Sequence, residues 1–378
     1  MSPSATTRIA VIMAGGAGER FWPISRPYRP KQLLPLGPGG RTLLADTVRR
    51  MHGLVDDDCM LVVTGRELRE PIIASDMPVF SDQVIAEPAR SNTMGAIAWA
   101  TAWALGRMGV AAENATMAVI PADHHVGDMD AFRDDVALAM DAAEELGALV
   151  TVGVPPTRPE VGYGYIEVAP GSVRLRGRAD GDGRLRPVAR FREKPDFEAA
   201  AEFLRSGHFL WNSGMFFWRI SSFLDELGRA GAEIAATIRE IAEALAEDHL
   251  AAAEQTFGTL PDISVDYALM ERAQQVVVVR AGFPWDDLGA WDAWRRVEAG
   301  DAVGNVTHGD PLLIDCRGCA VYDEMGKDGP PIAVIGLDGV VVAVGRDGIL
   351  VAPLSRAQQV RDVAARVQEQ PQDAERRE

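Results

Sequence analysis

Hydrophobic residues fall along this chain in two patterns. Short runs that are apolar at nearly every position, closed by glycine or proline, read as strands buried on both faces of a sheet; longer alanine-rich stretches with spaced charges read as helices. Residues 8 to 14, Arg-Ile-Ala-Val-Ile-Met-Ala, are the first such run. Positions 15 to 41 contain Pro23, Pro27, Pro30, Pro35 and Pro38 and predict a long structured loop without a regular helix. The pattern then predicts a helix over 43–52, strands over 60–64 and 83–86, a helix over 92–108, a strand over 116–121, a helix over 130–146 and a strand over 149–154. This alternation is that of an α/β protein, one layered sheet covered by helices.

The character changes after 155. Strands predicted over 164–168 and 185–191 flank a Gly/Asp/Arg-rich turn around 177–184, as in an antiparallel edge or lid, and an aromatic strand is predicted over 209–219. A polar, alanine-rich helical stretch over 222–256 reads as a surface or substrate-side excursion ended by Gly258 and Pro261. The sheet pattern returns at 275–280, and the core domain is expected to close near Trp294. Beyond Gly304, valine- and isoleucine-rich pieces at 312–315, 320–322, 332–335, 340–344 and 349–351 predict a small β appendage. A final helix over 355–369 and a charged tail from Gln370, expected to fray, complete the chain. The expected domains are 1–300 and a β-rich 301–378.

Composition removes several classes of function. Hydrophobic residues make up 47% and charged residues 25% of the 378 positions, and the mean hydropathy of -0.03 is that of a folded chain with a large core. The 55 acidic and 38 basic residues leave a formal net charge of -17. That argues against a broad nucleic-acid or anionic-membrane surface, while a local basic pocket for a small phosphorylated substrate remains open. No apolar run reaches the roughly 18 to 20 residues of a membrane span. The start, MSPSATTRIAVIMAGG, reads as a first buried strand rather than a signal peptide. Cys59, Cys316 and Cys319 make no disulfide framework, and the pair at 316 and 319 lacks a second pair for zinc, so a reducing, cytoplasmic compartment is expected.

Candidate chemistry begins at Gly15-Gly16-Ala17-Gly18, where backbone amides after a strand can wrap an anion with no side chain in the way. Phe21 stands where a dinucleotide fingerprint needs its third glycine, and Lys31 lies too far on for a P-loop. Between 19 and 31, Arg20, Arg26, Arg29 and Lys31 stand against Glu19 alone, a local positive excess that reads as phosphate clamps. Two like charges about 4 Å apart repel by about 4 kcal/mol at an effective dielectric of about 20, so a phosphate attacking a triphosphate needs arginine, lysine and a divalent ion together. Asp123, just past the strand at 116–121, sits where open α/β sheets place ligands, and magnesium needs only one or two such carboxylates. Asp287, in Trp285-Asp286-Asp287-Leu288-Gly289-Ala290-Trp291, is the second candidate.

The loop Glu87-Pro88-Ala89-Arg90-Ser91-Asn92-Thr93 offers base or ribose recognition, with Asn92 or Thr93 as helix cap. Glu167 could take two hydroxyls of a sugar, Lys194 beside Pro195 suits a compact phosphate contact, and Asn212 suits a sugar hydroxyl. An edge-strand glutamate facing solvent and an ordinary turn asparagine are the plain alternatives at 167 and 212.

Taken together, Gly15-Gly16-x-Gly18-x-Arg20-x-Trp22-Pro23-x-Ser25-Arg26 and Pro30-Lys31-Gln32 resemble the pyrophosphorylase signature of the mannose-1-phosphate guanylyltransferases. The resemblance continues through Glu87-Pro88, Pro121-Ala122-Asp123-His124, Gly162-Tyr163-Gly164-Tyr165-Ile166-Glu167, Glu193-Lys194-Pro195, Trp211-Asn212-Ser213-Gly214 and Trp285-x-Asp287-x-Gly289-x-Trp291, covering most of 8–365. It implies an α/β fold: a Rossmann-like mixed-sheet nucleotidyltransferase domain with a small C-terminal β appendage, a short left-handed β-helix being one form of it. It further implies that Ala14, Gly15, Gly16, Gly18, Glu87, Pro88, Asn92 and Thr93 surround the guanine nucleotide. By the same likeness Arg20 and Lys31 contact phosphates, Asp123 and Asp287 bind Mg2+, and Gly164, Glu167, Lys194 and Asn212 hold mannose 1-phosphate. Met94-Gly95 stand where family members commonly carry proline and alanine. The part beyond 300 resembles the monofunctional form, so the isomerase domain fused to some relatives is not expected, and the valine-rich appendage suits a homodimer contact as well as internal packing.

The implied reaction is direct displacement of pyrophosphate from GTP by the phosphate of mannose 1-phosphate, with His124 in a supporting role beside Asp123. Alternatives are the same chemistry on glucose 1-phosphate, N-acetylglucosamine 1-phosphate or another nucleotide, and a catalytically silent subunit that binds nucleotide sugars. An NAD-dependent oxidoreductase is disfavoured by the failed glycine fingerprint.

Overall fold

The computed structural model describes residues 6–16, 18–75, 77–176 and 183–369, and the chain divides into two compact units. Residues 177–182 of the expected turn and the tail from Gln370 lie outside the described residues.

The first unit, Met1–Gly15, Thr47–Ala122 and Val126–Trp285, is built on a nine-stranded sheet. Its strands are β1 (Thr7–Met13), β2 (Met60–Gly65), β3 (Val84–Glu87), β4 (Ala115–Pro121), β5 (Leu149–Val154), β6 (Tyr165–Val168), β7 (Leu185–Arg192), β8 (Phe209–Arg219) and β9 (Val276–Arg280). The order is β3-β2-β1-β4-β8-β5-β9-β7-β6, with β6 pairing β8 as well. β1 runs parallel to β2 and β4, and β9 to β5, whereas β8 is antiparallel to both β4 and β5, so the sheet is mixed. β1 lacks polar alternation because it is covered on both faces: Ile9, Ala10, Val11 and Ile12 are fully buried.

The stretch at 222–256 is a correction to the sequence reading. It folds as helices Ile220–Ala230, Ala232–Ala246 and Leu250–Phe257, and it is part of the core rather than an excursion. Ala235, Ile238, Ile241, Ala242 and Leu245 recur at helical spacing as a buried stripe, which the many alanines and glutamates around them conceal. This stripe faces the helix Thr93–Gly106, apolar around its whole circumference, and the two backbones approach closely at Gly106: a Cβ there would lie 2.3 Å from the Ala242 carbonyl oxygen. Two further helices, Arg66–Ile73 and Phe197–Ser206, go beyond the sequence expectations. The second carried its signals openly, with Asp196 accepting from the Ala199 amide at 2.8 Å and Gly207 closing the helix in the left-handed region.

The second unit gathers Gly16–Asp46, Asp123–His125 and Asp286–Glu378. Strands β10 (Val306–His308), β12 (Ala320–Asp323) and β14 (Val340–Gly345) pair in parallel, as do β11 (Leu312–Ile314) and β13 (Ala333–Ile335), while β15 (Gly348–Pro353) returns antiparallel to β14. Two parallel ladders built by successive short strands make this a β-helix-like fold. The proline-rich loop holds only short 3-10 turns, at Glu19–Phe21, Lys31–Leu33 and Pro38–Gly40. Its apolar residues Phe21, Ile24, Leu34 and Leu36 share one core with Trp291, Trp294, Tyr322, Val341 and Leu350. The Trp291 indole N–H donates to the Trp22 carbonyl at 3.2 Å and so fixes the loop's entry into that core. No helix among the described residues is long and apolar enough to cross a membrane, and all three cysteines are buried and free.

Candidate active site

Within the second unit, Lys31 is the organising residue. Gly18, at φ 61°, lets it approach: a Cβ there would lie 2.4 Å from the Lys31 Cβ and 2.5 Å from its amide nitrogen. Pro30 delivers Lys31 into a short turn, where it is buried at 6% exposure. Its ammonium donates to Asp123 Oδ2 at 2.7 Å, to the Asp287 carbonyl at 2.7 Å and to the Leu288 carbonyl at 3.2 Å. All three N–H donors are engaged, so Lys31 reaches a phosphate only by releasing one of them. One lysine therefore ties the Asp123 carboxylate to the backbone of the Asp287 loop.

Burial works against ionisation of Asp123, but the Lys31 charge, then that of His124, and the Lys31 hydrogen bond together hold its carboxyl below the usual range. A His124 ring nitrogen lies 3.7 Å from Asp123 Oδ1, an ion-pair separation rather than a hydrogen bond. The two adjacent aspartates separate by environment. Asp286 is buried, accepts from the Leu288 amide at 3.0 Å and pairs with Arg296 at 3.1 Å. Asp287 is half-buried and accepts from the Gly289 amide at 3.0 Å, with Leu288 between them held at φ 47°. A left-handed conformation on a fully buried leucine is local strain, retained because its carbonyl and that of Asp287 must both face Lys31. Among the described residues no three or more His, Cys, Asp or Glu side chains come together as a metal-ligating group.

Arg20 is half-buried and makes no ion pair among the described residues. Arg26 and Arg29 correct the sequence reading, for they are not held ready for phosphates. Arg26 grips Glu324 with two bonds of 3.0 and 2.7 Å and also pairs with Asp347, and Arg29 pairs with Glu324. Arg26 and Glu324 side chains are each only 9% exposed, so these pairs are internal struts between loop and β-coil.

Within the first unit, the candidate residues form two groups. Ala14 closes β1, its amide donating to the Val63 carbonyl at 2.8 Å. Next to it, a Cβ on Gly15 would lie 3.6 Å from Glu87 Oε1. Glu87 ends β3 in a buried position, accepts from the Ser91 hydroxyl at 2.6 Å and is pushed up to about 7, chiefly by burial, with Glu67 adding to the rise. Gly95 makes that bond possible, because a Cβ there would lie 2.2 Å from the Ser91 hydroxyl and 2.6 Å from its Cβ. Pro88 is half-buried and Asn92 caps the following helix, accepting from the Thr93 amide at 3.0 Å. The Thr93 hydroxyl accepts from the Val265 amide at 3.0 Å.

The second group lies where β6 meets β7 and β8. The backbone N–H of Asn212 donates to the Gly164 carbonyl at 2.8 Å, and a Cβ on Gly164 would lie 2.7 Å from Glu193 Oε2 and 3.4 Å from the Asn212 Cβ. The Lys194 ammonium lies 3.1 Å from Glu193 Oε1, and Lys194 is held at φ 40°, a strained conformation for a residue preceding proline. Glu167 does not belong to this group. Tyr165 pairs Trp211 and Glu167 pairs Phe209, so strand alternation turns Glu167 to the face opposite Gly164 and Asn212, where it pairs with Arg190 at 2.7 Å. The carboxylates beside Asn212 are instead Glu193 and Asp266, and the sequence reading assigned a role to neither. The Asn212 side chain donates to Asp266 Oδ1 at 2.7 Å. The same period-2 alternation, applied to 164–167, was the signal that distinguishes Glu167 from Glu193.

Comparison with known proteins divides the chain consecutively, whereas the two compact units interleave in sequence. The family model described as nucleotidyl transferase matches residues 9–302, and one described as a MannoseP isomerase/GMP-like beta-helix domain matches 309–367. The chain is 37% identical over 370 residues to the alginate biosynthesis protein AlgA of Pseudomonas putida, covering 96% of this chain and 72% of that protein. It is 36% identical over 365 residues to a mannose-1-phosphate guanylyltransferase of Escherichia coli strain K12, covering 94% of this chain and 73% of that protein. Among solved structures, one described as a mannose-1-phosphate geranyltransferase from Thermus thermophilus aligns with a TM-score of 0.81 at 36% identity, covering 96% of this chain and 99% of that one.

Proposed function

Because the chain belongs to the nucleotidyl transferase family, in its mannose-1-phosphate guanylyltransferase branch, we propose that it transfers GMP from GTP to α-D-mannose 1-phosphate, giving GDP-mannose and pyrophosphate. The observation that carries the chemistry is the Lys31 ammonium joining Asp123 to the Asp287 loop. An oxygen of the sugar phosphate bonds to the α-phosphorus of GTP as the bond to the β-phosphate oxygen breaks, and pyrophosphate leaves with that electron pair. The nucleophile is already an anion, so no general base is needed, and catalysis rests on orientation and charge.

Arg20, which makes no ion pair among the described residues, would meet the leaving pyrophosphate. Lys31 holds the two aspartates in register. Asp123 and Asp287 would hold Mg2+ through carboxylate oxygens, the hard donors that this ion prefers, and one or two of them suffice. When bound there, Mg2+ offsets charge on the reacting phosphates. Guanine presents adjacent N–H donors from its ring and amino group, and Glu87 supplies a paired acceptor suited to them; a uracil or thymine ring offers a single N–H. Gly164, Glu193, Lys194 and Asn212 form the polar face suited to a sugar phosphate. A homodimer in the cytoplasm belongs to the same reading, supported by the exposed Leu312, Ile314 and Ile335 of the β11/β13 pair and by the free thiols.

The test is a substrate panel with Mg2+, following pyrophosphate release and identifying the nucleotide sugar by mass. GTP with mannose 1-phosphate is expected to give the highest kcat/KM. Preference for UTP or dTTP, or for glucose 1-phosphate, would overturn the assignment, and binding without turnover of any pair would favour the silent-subunit alternative.

A further inference from the structure

We propose that Asp266 is a positioning residue of the sugar-phosphate site, which sets the orientation of the Asn212 amide and ties it to the start of the helix that follows the nucleotide loop. The inference rests on reading Gly164, Lys194 and Asn212 as the sugar-phosphate site.

An asparagine amide has nearly the same shape in either of two orientations, so something must choose which end faces the ligand. Asn212 is fixed at both ends: its Oδ1 accepts from the Gly214 amide at 3.1 Å, and its Nδ2 donates to Asp266 Oδ1 at 2.7 Å. A backbone N–H can only donate and a carboxylate can only accept, so the flipped orientation would face two mismatched partners. One N–H of Asn212 is left for another acceptor, such as a sugar hydroxyl oxygen. Asp266 stands close enough to Glu193 for the two negative charges to oppose each other. Burial first, and then that charge, push the Asp266 carboxyl up to about 6, an arrangement that folding alone does not reward.

The backbone around Asp266 is equally particular. Residues Asp266–Met270 form a single π-turn, closed by the Glu271 amide donating to the Asp266 carbonyl at 3.0 Å, a geometry concentrated at functional sites. The preceding residues are tied to the nucleotide loop twice: the Val265 amide donates to the Thr93 hydroxyl at 3.0 Å, and the Met94 amide donates to the Ile263 carbonyl at 3.3 Å. A continuous path thus runs from the Glu87–Thr93 loop through Ile263–Asp266 to Asn212.

Steady-state kinetics on Asp266→Asn test this. KM for mannose 1-phosphate is expected to rise tenfold or more, while KM for GTP, and for pyrophosphate in the reverse direction, stay within twofold. The swap of Asp266→Asn with Asn212→Asp keeps a donor–acceptor pair with its direction reversed, and should match the wild-type melting temperature without recovering the sugar-phosphate KM. Should Asp266→Asn fail to fold, Asp266→Glu, which keeps the charge but displaces it by one methylene, should show the same one-sided KM increase. Unchanged kinetics in the variant that folds, or an equal rise for both substrates, overturns the inference. Lys194→Ala is the control on the underlying reading. If it impairs mannose 1-phosphate use while Asp266→Asn does not, only the role of Asp266 falls; if neither does, the placement of the sugar-phosphate site falls with it.

Discussion

Glu324→Gln probes whether the β-coil holds the phosphate loop in shape. The substitution keeps the size of the side chain but removes the charge shared by Arg26 and Arg29, and it turns an NH2 group toward guanidinium donors. Glu324 accepts two bonds from Arg26, one from Arg29 and one from the Arg346 amide at 3.2 Å, and its side chain is 9% exposed. Removing one partner of a buried pair costs about 3–5 kcal/mol, because the remaining charge stays desolvated. Here Arg26 retains Asp347 and the Arg29 side chain is 33% exposed, which places the loss at the lower end, about 3 kcal/mol. At about 2.1 cal/mol/K of unfolding entropy per residue, a chain of 378 residues shifts by about 1.3 °C per kcal/mol, so the melting temperature should fall by about 4 °C.

Assayed well below that melting point, the variant should also lose GTP affinity, with KM up about tenfold, because Arg20 and Lys31 ride on the same loop; KM for mannose 1-phosphate should not follow. Burial alone would raise the Glu324 carboxyl, but Arg26 and Arg29 lower it overall. The folded form therefore binds this proton more weakly than the unfolded chain. Its stabilisation is present above the ordinary glutamate range and lost as pH falls through the lower folded value. The wild type should thus lose its advantage over Glu324→Gln on acidification below about pH 4.5. A melting temperature within 1 °C of wild type together with unchanged GTP kinetics would refute the strut.

Glu87 titrates near 7, so as an acceptor for guanine it is half protonated at neutral pH, and KM for GTP should fall between pH 6 and pH 8; Glu87→Gln should remove that slope, and a slope that survives would acquit Glu87. Its raised value has the opposite sign for stability: the contribution present below about pH 4.5 is lost as pH rises through 7, a cost of about 3 kcal/mol that thermal melts of Glu87→Gln at pH 8 should show as a gain. Gly95→Ala, which installs the alanine common in the family, should displace Ser91, cost about 1–3 kcal/mol by overpacking and raise KM for GTP; an unperturbed melt would show that Ser91 moves freely. Glu167→Gln should leave KM for mannose 1-phosphate within twofold, since Glu167 faces away from Asn212; a tenfold rise would restore it to the sugar-phosphate site.

The strands were legible because a strand covered on both faces must be apolar throughout, and little else in a soluble chain produces runs like those at β1, β4 and β9. Lys31, Asp123 and Asp287 were legible singly, each beside a strand end or a proline. Their meeting was not, since it depends on a contact spanning 256 residues of sequence, from Lys31 to the Asp287 carbonyl. Arg26 and Arg29 show the cost of reading charge locally: an excess over thirteen positions looks like a phosphate clamp until Glu324, 298 and 295 residues away, is found neutralising it. Glu167 differs again. The alternation that turns it away from Asn212 was available, but a carboxylate next to a glycine-rich turn drew attention away from parity. Asp266 carried no local signal at all, because a single aspartate in a polar, helix-like stretch is indistinguishable from a solvated one.

The same contrast explains why the phosphate loop belongs to the β-coil. A segment with five prolines and three short 3-10 turns has few backbone bonds of its own to hold Arg20 and Lys31 within the fraction of an ångström that phosphoryl chemistry demands. Its order must come from side chains. Phe21, Ile24, Leu34 and Leu36 supply it by burial against Trp291, Tyr322 and Val341, but apolar contacts resist sliding poorly. Arg26 and Arg29 add the directional part, since a guanidinium gripping one carboxylate through two bonds fixes both distance and angle. On this view the two arginines held by Glu324 matter as much to GTP affinity as the one proposed to meet it, because an arginine at 20 is only as well placed as the loop that carries it.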